Sequence, residues 1–279
     1  MDLRRFAQNT YLYLVLSSLA FGILLSFVQI PYLSPISYAI MYLPPIIMLF
    51  IRRYPLKASL SFKPVSVSQL LFTVALAICG TIVIIVLNNI INFPPSARNS
   101  LVTSLANFSF WPDIVIWLAG AILIELAYRG IIQNGFQHLV PLKLCIIVSL
   151  LFVFPNSLFD MPSQILIGFA YAFLAYKAGS VIPAIVAHFL VLALKQPLSY
   201  LVFNIGLMWG NLFTLIFLLL AAIGLLILLF AKMPGKTLKT HDVVSNKQKS
   251  HPAFITAVVI AAIYTLWLTG LDVYFMLIM

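Results

Sequence analysis

The chain has 279 residues, of which 63% are hydrophobic and only 8% are charged. Because a soluble domain carries roughly 25% charged residues, this composition excludes an ordinary soluble domain and predicts a polytopic membrane protein. The net charge of +10 does not indicate nucleic-acid binding, since the sequence has no basic stripe with interleaved aromatic residues. The two cysteines, Cys79 and Cys145, form no CxxC zinc motif and predict no disulfide framework.

Apolar runs long enough to cross a membrane follow one another along nearly the whole chain. A transmembrane helix needs about 20 mostly apolar residues, because lipid offers no hydrogen-bond partners to an open backbone. This rule predicts nine spans, at residues 10–31, 35–51, 68–93, 113–138, 142–160, 163–178, 180–201, 206–231 and 253–276. The sixth and seventh are joined by only a few residues around Gly179. The predicted fold class is therefore all-α, a polytopic bundle of about nine transmembrane helices.

Lysine and arginine residues in the short loops predict the orientation of the bundle, because cytoplasmic loops carry an excess of positive charge. With nine spans, thirteen basic residues fall on one side, namely Arg4, Arg5, Arg52, Arg53, Lys57, Lys63, Lys143, Lys177, Lys232, Lys236, Lys239, Lys247 and Lys249. Only Arg98 and Lys195 fall on the other side. The sequence therefore predicts a cytoplasmic N-terminus, an extracellular C-terminus and a cytoplasmic basic loop at residues 232–252.

Two opposite charges interrupt the fourth apolar run, in the stretch "ELAYRG" at residues 125–130. Glu125 and Arg129 are four residues apart, so a helix places them on one face, about one turn from each other. In hydrocarbon either charge alone is costly and pairing lowers the cost, so we expect a buried ion pair that faces the other helices. The pair either fixes helix packing or belongs to a functional site, because intramembrane ionisable residues are enriched at sites.

Three further polar residues lie within predicted spans: Tyr128, Asn156 and His188. A lone histidine in an apolar helix is either a hydrogen-bonding residue or a metal ligand, and His188 is therefore a weak zinc candidate. At about 1.5 Å per residue, Glu125 falls near mid-membrane, Asn156 towards the outer half and His188 towards the inner half. These estimated depths are only roughly compatible with contact between the three side chains. A bend at Pro155 would bring Asn156 closer to the other two.

The order and spacing of three short stretches resemble a known family, the bacterial CPBP intramembrane proteases, also called the Abi or type II CAAX protease family. Its members carry Glu-Glu-x-x-x-Arg on one helix, Phe-x-x-x-His on the next and His-x-x-x-Asn on a later one. In this sequence "IELAYR" corresponds to the first motif, "FVFPN" to the second and "HFLVL" to the third. The resemblance covers roughly residues 113–200. It implies a CPBP/Abi-like membrane core of eight helices at residues 1–231, the loop at 232–252, and an additional C-terminal transmembrane helix at 253–279.

Three motif positions depart from the pattern of active members. Ile124 stands where the resemblance expects the glutamate that acts as general base, Asn156 where it expects a histidine, and Leu192 where it expects an asparagine. Isoleucine cannot accept a proton and leucine cannot donate to an oxyanion, so little of the hydrolytic machinery is left. The resemblance therefore implies a pseudoprotease with no firm catalytic residue.

The residues that remain at the motif positions are Glu125, Arg129, Asn156 and His188. This pattern is similar to the non-catalytic branch of the family that includes the staphylococcal lysostaphin-resistance (surface protein display) membrane proteins. That resemblance implies an integral-membrane scaffold in the plasma membrane of a Gram-positive bacterium, without a cofactor. The implied partners are the lipid bilayer and another membrane protein, such as a membrane-anchored peptidoglycan hydrolase of the cell envelope, and no nucleic acid.

Two other functions stay open. A divergent intramembrane metallopeptidase would use Glu125 and His188, and a bound zinc ion would favour it. A transporter or channel is less compatible with so few buried charges and no inverted pair of broken helices. Small residues spaced four apart, at the ends of the stretches 168–172 and 206–210, permit close helix contacts either within the bundle or with a partner.

Overall fold

The computed structural model describes residues 3–27, 33–52, 60–91, 110–153, 161–209, 219–224 and 252–278, together with Ile216 and Ile227. Within these residues the regular elements are all helical, which confirms the predicted all-α class. In chain order they are α1 (Leu3–Phe27), α2 (Leu33–Ile51), α3 (Val67–Ile91), α4 (Phe110–Glu125), α5 (Pro141–Val153), α6 (Met161–Ala178), α7 (Ile182–Trp209) and α8 (Pro252–Ile278). Beyond Glu125, α4 continues as a π-helix over Leu126–Ile132 and ends with a short turn at Gln133–Gly135.

These eight helices correspond to predicted spans, and several helix ends differ from the predicted span ends. Helix α1 begins at Leu3, before the predicted start at residue 10, because the helix extends beyond the apolar run that predicted it. Helix α7 runs to Trp209, past the predicted end at residue 201, and contains Pro197 in its interior. The predicted span at 206–231 lies largely outside the described residues, as does the basic loop from 232 to 251. The division of the chain at 231 and 252 therefore stays a prediction.

Several helices are long and apolar enough to cross a membrane. Within the described part of the chain, three stretches meet both conditions: Leu3–Leu24, Val67–Leu87 and Asp113–Gly135. Shorter apolar helices of 10–17 residues lie at Ile36–Ile51, Pro141–Val153, Ile182–Lys195 and Phe254–Thr269. The chain is therefore a multi-pass membrane protein, and the exposed leucine, isoleucine and valine side chains of these helices suit contact with lipid.

Helix α4 lies at the centre of the bundle. Every residue from Ile124 to Phe136 is buried, and α1, α2, α5, α6 and α7 all contact α4 or its π-helical continuation. One apolar cluster joins α1, α4, α5 and α8, and a second joins α3, α6 and α7. Because neighbouring helices surround this part of α4, its charged side chains are kept away from lipid.

A tight turn sets α6 and α7 side by side. Gly179 has a φ of 62°, a left-handed conformation that is available to glycine at little cost. The Ser180 N–H donates to the Ala175 carbonyl at 3.2 Å, which closes the C-terminus of α6 in a Schellman arrangement. The predicted short connection around Gly179 is thus confirmed. It holds the start of α7 beside α6 and brings His188 towards α4.

Candidate functional site

The stretch "ELAYRG" lies where α4 changes from an α-helix to a π-helix. The i→i+5 pattern over Leu126–Ile132 widens the turn, so side chains four residues apart come close to stacking on one face. Glu125, Arg129 and Gln133 are spaced in this way, and all three are buried. Because π-helical segments are frequent at functional sites, this stretch is the first candidate.

Glu125 and Arg129 form the predicted buried ion pair. The distance from Glu125 Oε2 to Arg129 Nε is 3.3 Å, and both side chains are fully buried. The two atoms are not aligned as a hydrogen bond, so their contact is electrostatic. Arg129 donates through Nη2 to the Gly168 carbonyl of α6 at 3.0 Å. The pair therefore faces the interior of the bundle, as expected, and not the lipid.

A second side chain of α4 repeats this contact with α6 one turn further on. Gln133 donates through Nε2 to the Ala172 carbonyl at 3.1 Å. We call Glu125, Arg129 and Gln133, together with the Gly168 and Ala172 carbonyls, the α4–α6 ladder. The site predicted from the sequence does not include Gln133. Its position four residues after Arg129 continues the spacing of Glu125 and Arg129, and this spacing could have identified it. The ladder fixes α6 against the central helix.

The small residue at the start of the stretch 168–172 permits a close contact inside the bundle, as predicted. A methyl group on Gly168 would lie 3.1 Å from Phe152 Cδ1 and 3.3 Å from Ser149 Cα of α5. The missing side chain thus lets α5 and α6 approach each other, and the carbonyl of the same residue accepts from Arg129. The other stretch, 206–210, extends beyond the described residues.

His188 contacts the second oxygen of the Glu125 carboxylate. The distance from His188 Nδ1 to Glu125 Oε1 is 2.8 Å, and since an ionised carboxylate only accepts, the imidazole donates. The ring also stacks on Tyr171, with 4.9 Å between centroids. Glu125 and His188 lie at more similar depths than counting residues along the predicted spans suggested. The reason is that α4 begins at Phe110 and ends at Gly135, earlier than predicted, so Glu125 lies nearer the end of the bundle where α7 starts. We call Glu125, Arg129 and His188 the Glu–Arg–His cluster.

The second motif packs on the first through an aromatic side chain. The Arg129 guanidinium carbon lies 5.1 Å from the centre of the Phe152 ring and 6.0 Å from the Tyr128 ring. The two rings meet edge to face at 5.2 Å. Such contacts stabilise a buried guanidinium that has few hydrogen bonds. Tyr128 and Phe152 therefore help to hold Arg129 in place.

The three positions that depart from the family pattern differ in where the structure places them. Asn156 lies outside the described residues, as does Pro155. Ile124 is buried, and Leu192 is half-buried one turn beyond His188 on α7. Neither the isoleucine nor the leucine carries a polar side-chain atom. Of the motif positions in the described chain, the structure thus brings together the glutamate, the arginine and the histidine.

A cavity of about 380 Å³ lies beside the cluster. Ile124 and Phe152 line it, and its hydrogen-bonding side chains are Ser18, Ser37, Tyr38, Tyr42, Tyr128, Gln164, His188 and Tyr264. Within the described residues no lysine, arginine, aspartate or glutamate lines it. The cavity lies near the end of α1 and the starts of α2 and α6. The predicted topology places this half of the bundle on the extracellular side.

The family resemblance raises the question of whether the cluster fits a zinc ion. A catalytic zinc ion is held by three histidine, cysteine or carboxylate ligands and a water. Across the residues that the structure describes, no three such side chains come together. His188 Nδ1 and Glu125 Oε1 contact each other, and Glu125 Oε2 contacts Arg129. With Ile124 and Leu192 in place of polar residues, the described side chains do not fit the donor set of a zinc enzyme.

These features define a class: a multi-pass helical membrane protein whose central helix buries a Glu–Arg–His cluster beside an uncharged cavity. Residues 106–194, about a third of the chain, match the family model described as type II CAAX prenyl endopeptidase Rce1-like. The matched segment contains all three motif stretches, so the chain carries a domain of the CPBP (Abi, type II CAAX protease-like) family. No curated protein and no solved structure matches the chain.

Proposed function

We propose that this protein is a non-catalytic integral-membrane scaffold that binds and positions, or regulates, a membrane-anchored enzyme of the cell envelope, such as a peptidoglycan hydrolase. The observation that carries the proposal is the state of Glu125. Its carboxylate is fully buried, with Oε1 on His188 and Oε2 on Arg129. A general base must come within hydrogen-bond reach of the proton it abstracts, and Glu125 does not line the cavity.

The residues at the cavity wall support the same proposal. Ile124 lines the cavity at the position where the resemblance expects a general base, and its side chain cannot take a proton. Leu192 stands one turn after His188, where the family carries an asparagine. The chain thus keeps a glutamate and an arginine that pack its helices, and it carries apolar side chains at two positions where the resemblance expects reactive ones. The resemblance to the non-catalytic branch supplies the class of partner, a membrane-anchored peptidoglycan hydrolase.

One observation favours a second candidate, a divergent intramembrane metallopeptidase. A carboxylate that accepts from one nitrogen of a histidine orients the ring, as it does in metal sites and in hydrolytic triads. His188 lines the cavity, and its Nε2 makes no hydrogen bond within the described part of the chain. This nitrogen is therefore one donor atom for a metal ion or a water molecule.

Purification of the tagged chain from its own host in a mild detergent separates the two candidates. Mass spectrometry identifies the proteins that are retained, and elemental analysis measures zinc per chain. The scaffold predicts an envelope enzyme in near-stoichiometric amount and zinc far below one ion per chain. A tagged, unrelated multi-pass protein from the same host is the control for proteins that bind the tag or the micelle. One zinc ion per chain without a partner enzyme, and its loss in His188→Asn, would identify the metallopeptidase instead.

A further inference from the structure

The cavity beside the Glu–Arg–His cluster can bind a ligand by hydrogen bonds from several directions. Ser18 reaches it from α1, Tyr42 from α2, Gln164 from α6 and Tyr264 from α8. Each of these side chains can both donate and accept, so the wall offers both kinds of partner. Recognition of small molecules relies on a few convergent polar groups in an otherwise apolar site. The cavity is more polar than such a site, because eight of the thirteen residues that line it carry a hydrogen-bonding side chain.

Five of the lining side chains form a continuous row of rings. The centroid distances are 6.4 Å from Tyr38 to Tyr42, 6.4 Å from Tyr42 to Tyr128, 5.2 Å from Tyr128 to Phe152 and 6.3 Å from Phe152 to His188. Aromatic faces bind apolar C–H groups, whereas the phenol hydroxyls at their edges bind polar groups. The row therefore suits a ligand that is itself a ring with apolar faces and polar substituents.

The charges around the cavity disfavour an ionic ligand. Since no lysine or arginine of the described chain lines it, a phosphate or carboxylate would lose its hydration without gaining a counter-ion. A quaternary ammonium is disfavoured as well, because the Arg129 guanidinium already lies 5.1 Å from the Phe152 ring and 6.0 Å from the Tyr128 ring. Two of the rings that a cation would need thus face a positive charge. The remaining class of ligand is uncharged.

Size and position narrow the ligand further. A volume of about 380 Å³ is at the lower end of the roughly 300–1,000 Å³ of small-molecule sites. Tyr38 of α2 and Gln164 of α6 lie within about 10 Å of the N-terminal ends of their helices. One end of the cavity therefore lies near the helix ends, where lipid headgroups lie, whereas Ile124 lines it deeper in the bundle.

We propose that the cavity binds the sugar headgroup of a neutral glycolipid. A pyranose ring has C–H faces that match the aromatic row, hydroxyls that match Ser18, Gln164 and Tyr264, and no charge. The acyl chains would run between the lining helices into the bilayer. This inference rests on the non-catalytic function proposed above, because a cavity that cleaves no bond is free to hold a lipid that stabilises or regulates the scaffold.

Lipid retention by the purified chain tests the proposal. The chain is extracted in a detergent without a sugar headgroup, reconstituted with a mixture of four lipids, and washed, and the retained lipids are measured by mass spectrometry. The lipids are monoglucosyl diacylglycerol, diacylglycerol with the same acyl chains, phosphatidylglycerol and phosphatidylcholine. We expect the glycolipid to be enriched about 10-fold over diacylglycerol, which corresponds to about 1.4 kcal/mol. Equal retention of diacylglycerol, or preferential retention of either phospholipid, would overturn the proposal.

Competition with a soluble sugar distinguishes a glycolipid headgroup from a free glycan as the ligand of the cavity. Methyl glucoside should displace part of the retained glycolipid if the headgroup occupies the cavity. If a soluble oligosaccharide binds while the glycolipid does not, the ligand is a free glycan and the lipid part of the proposal is wrong. If neither the glycolipid nor a soluble sugar binds, the whole proposal is wrong.

Two variants test whether the ligand binds in this cavity. Tyr42→Phe and Gln164→Leu each remove hydrogen bonds from the wall, and each should lower glycolipid retention about 3- to 10-fold. Tyr176→Phe is the matched control, because this tyrosine of α6 does not line the cavity. Size-exclusion profiles and thermal midpoints verify that the variants fold, and Tyr42→Phe keeps the ring and its packing. Native retention by both folded variants would contradict the assignment. The assay needs no partner protein, so its failure is distinguishable from a failure of the scaffold function.

Discussion

The α4–α6 ladder and the cavity lie beside the same stretch of α4, yet they use polar side chains in opposite ways. In the ladder, Arg129 and Gln133 are buried, and each donates to a main-chain carbonyl of α6. In the cavity, Tyr42, Gln164 and Tyr264 make no hydrogen bond to another residue of the described chain. Charges occur in the ladder, whereas the wall of the cavity has none within the same residues.

This difference separates the side chains that hold the bundle from those that are available to a ligand. A charge buried among helices is tolerated only when it is paired, so the ladder couples Glu125 and Arg129 to the fold itself. An uncharged hydroxyl can stay without a protein partner where it faces an open space. The comparison implies that substitutions in the ladder change stability, while removal of the cavity's unpartnered polar groups changes what the protein binds.

The largest expected effect is at the ion pair. Arg129→Leu leaves Glu125 buried without its counter-charge and should cost about 3–5 kcal/mol of unfolding free energy. The double variant Glu125→Gln/Arg129→Leu should cost less, because no full charge is left and the new amide oxygen still accepts from His188. Folded protein in detergent extracts, followed by equilibrium unfolding in SDS, measures both. Lys195→Leu, which removes an exposed charge, is the control. A double variant that is less stable than the single one contradicts this account of the ladder.

The next effect concerns the contact that joins α8 to the cavity wall. A methyl group added to Gly22 of α1 would collide with the Tyr264 hydroxyl of α8. Gly22→Ala should therefore lower stability by about 1–3 kcal/mol, and Tyr264→Phe in the same chain should restore part of it. Thermal midpoints of the single and double variants measure the coupling.

Gly80→Ala is the matched control for that substitution. A methyl group added at Gly80 of α3 meets no atom within 4 Å. Because alanine favours helix over glycine, this change should be neutral or should stabilise by up to about 1 kcal/mol. Equal losses for Gly22→Ala and Gly80→Ala would show that α8 does not pack on α1 as described.

A smaller effect compares the ladder directly with the cavity. Gln133→Met removes one buried hydrogen bond to the Ala172 carbonyl and should cost about 0.5–1.5 kcal/mol. Tyr42→Phe removes a hydroxyl that has no partner within the described residues, so stability should change by less than about 0.5 kcal/mol. Both are measured by unfolding in the same detergent. The distinction between the two regions fails if Tyr42→Phe is the more damaging of the two.

The last prediction concerns the orientation of the chain, which decides which side of the membrane the cavity faces. In a background without Cys79 and Cys145, Thr240→Cys should resist a membrane-impermeant thiol reagent added to intact cells. Ser100→Cys should react with it, because the predicted orientation places residue 100 outside. Labelling of residue 240 together with protection of residue 100 would reverse the orientation and turn the cavity towards the cytoplasm.

Local patterns in the sequence predict the features that depend on near neighbours along the chain. Hydropathy predicts the helices, the four-residue spacing predicts the Glu125–Arg129 pair, and the glycine at 179 predicts the turn between α6 and α7. Each of these depends on a few adjacent residues and on the medium around them. The structure therefore agrees with the sequence on the existence of these elements.

Features that depend on distant parts of the chain leave little trace in the sequence. The acceptors of the ladder are main-chain carbonyls, which every residue possesses, so the sequence does not mark Gly168 or Ala172 as partners of α4. The same holds for the loop before α3, where Ser180 donates to the Lys63 carbonyl at 2.8 Å. The cavity is equally hidden, because its wall combines single residues from helices far apart in the chain.

The central claim is that the Glu–Arg–His cluster holds the bundle and performs no chemistry. Its most direct test is the amount of envelope enzyme that copurifies with His188→Asn, per folded chain, from the native host. Asparagine can still donate to Glu125 but is a poorer metal ligand, so we expect near-native retention of the partner. His188→Leu leaves Glu125 Oε1 without its donor at a cost of about 1–3 kcal/mol, so we expect a lower abundance with unchanged retention per folded chain. Loss of the partner from abundant, folded His188→Asn, together with loss of bound zinc, would contradict the account.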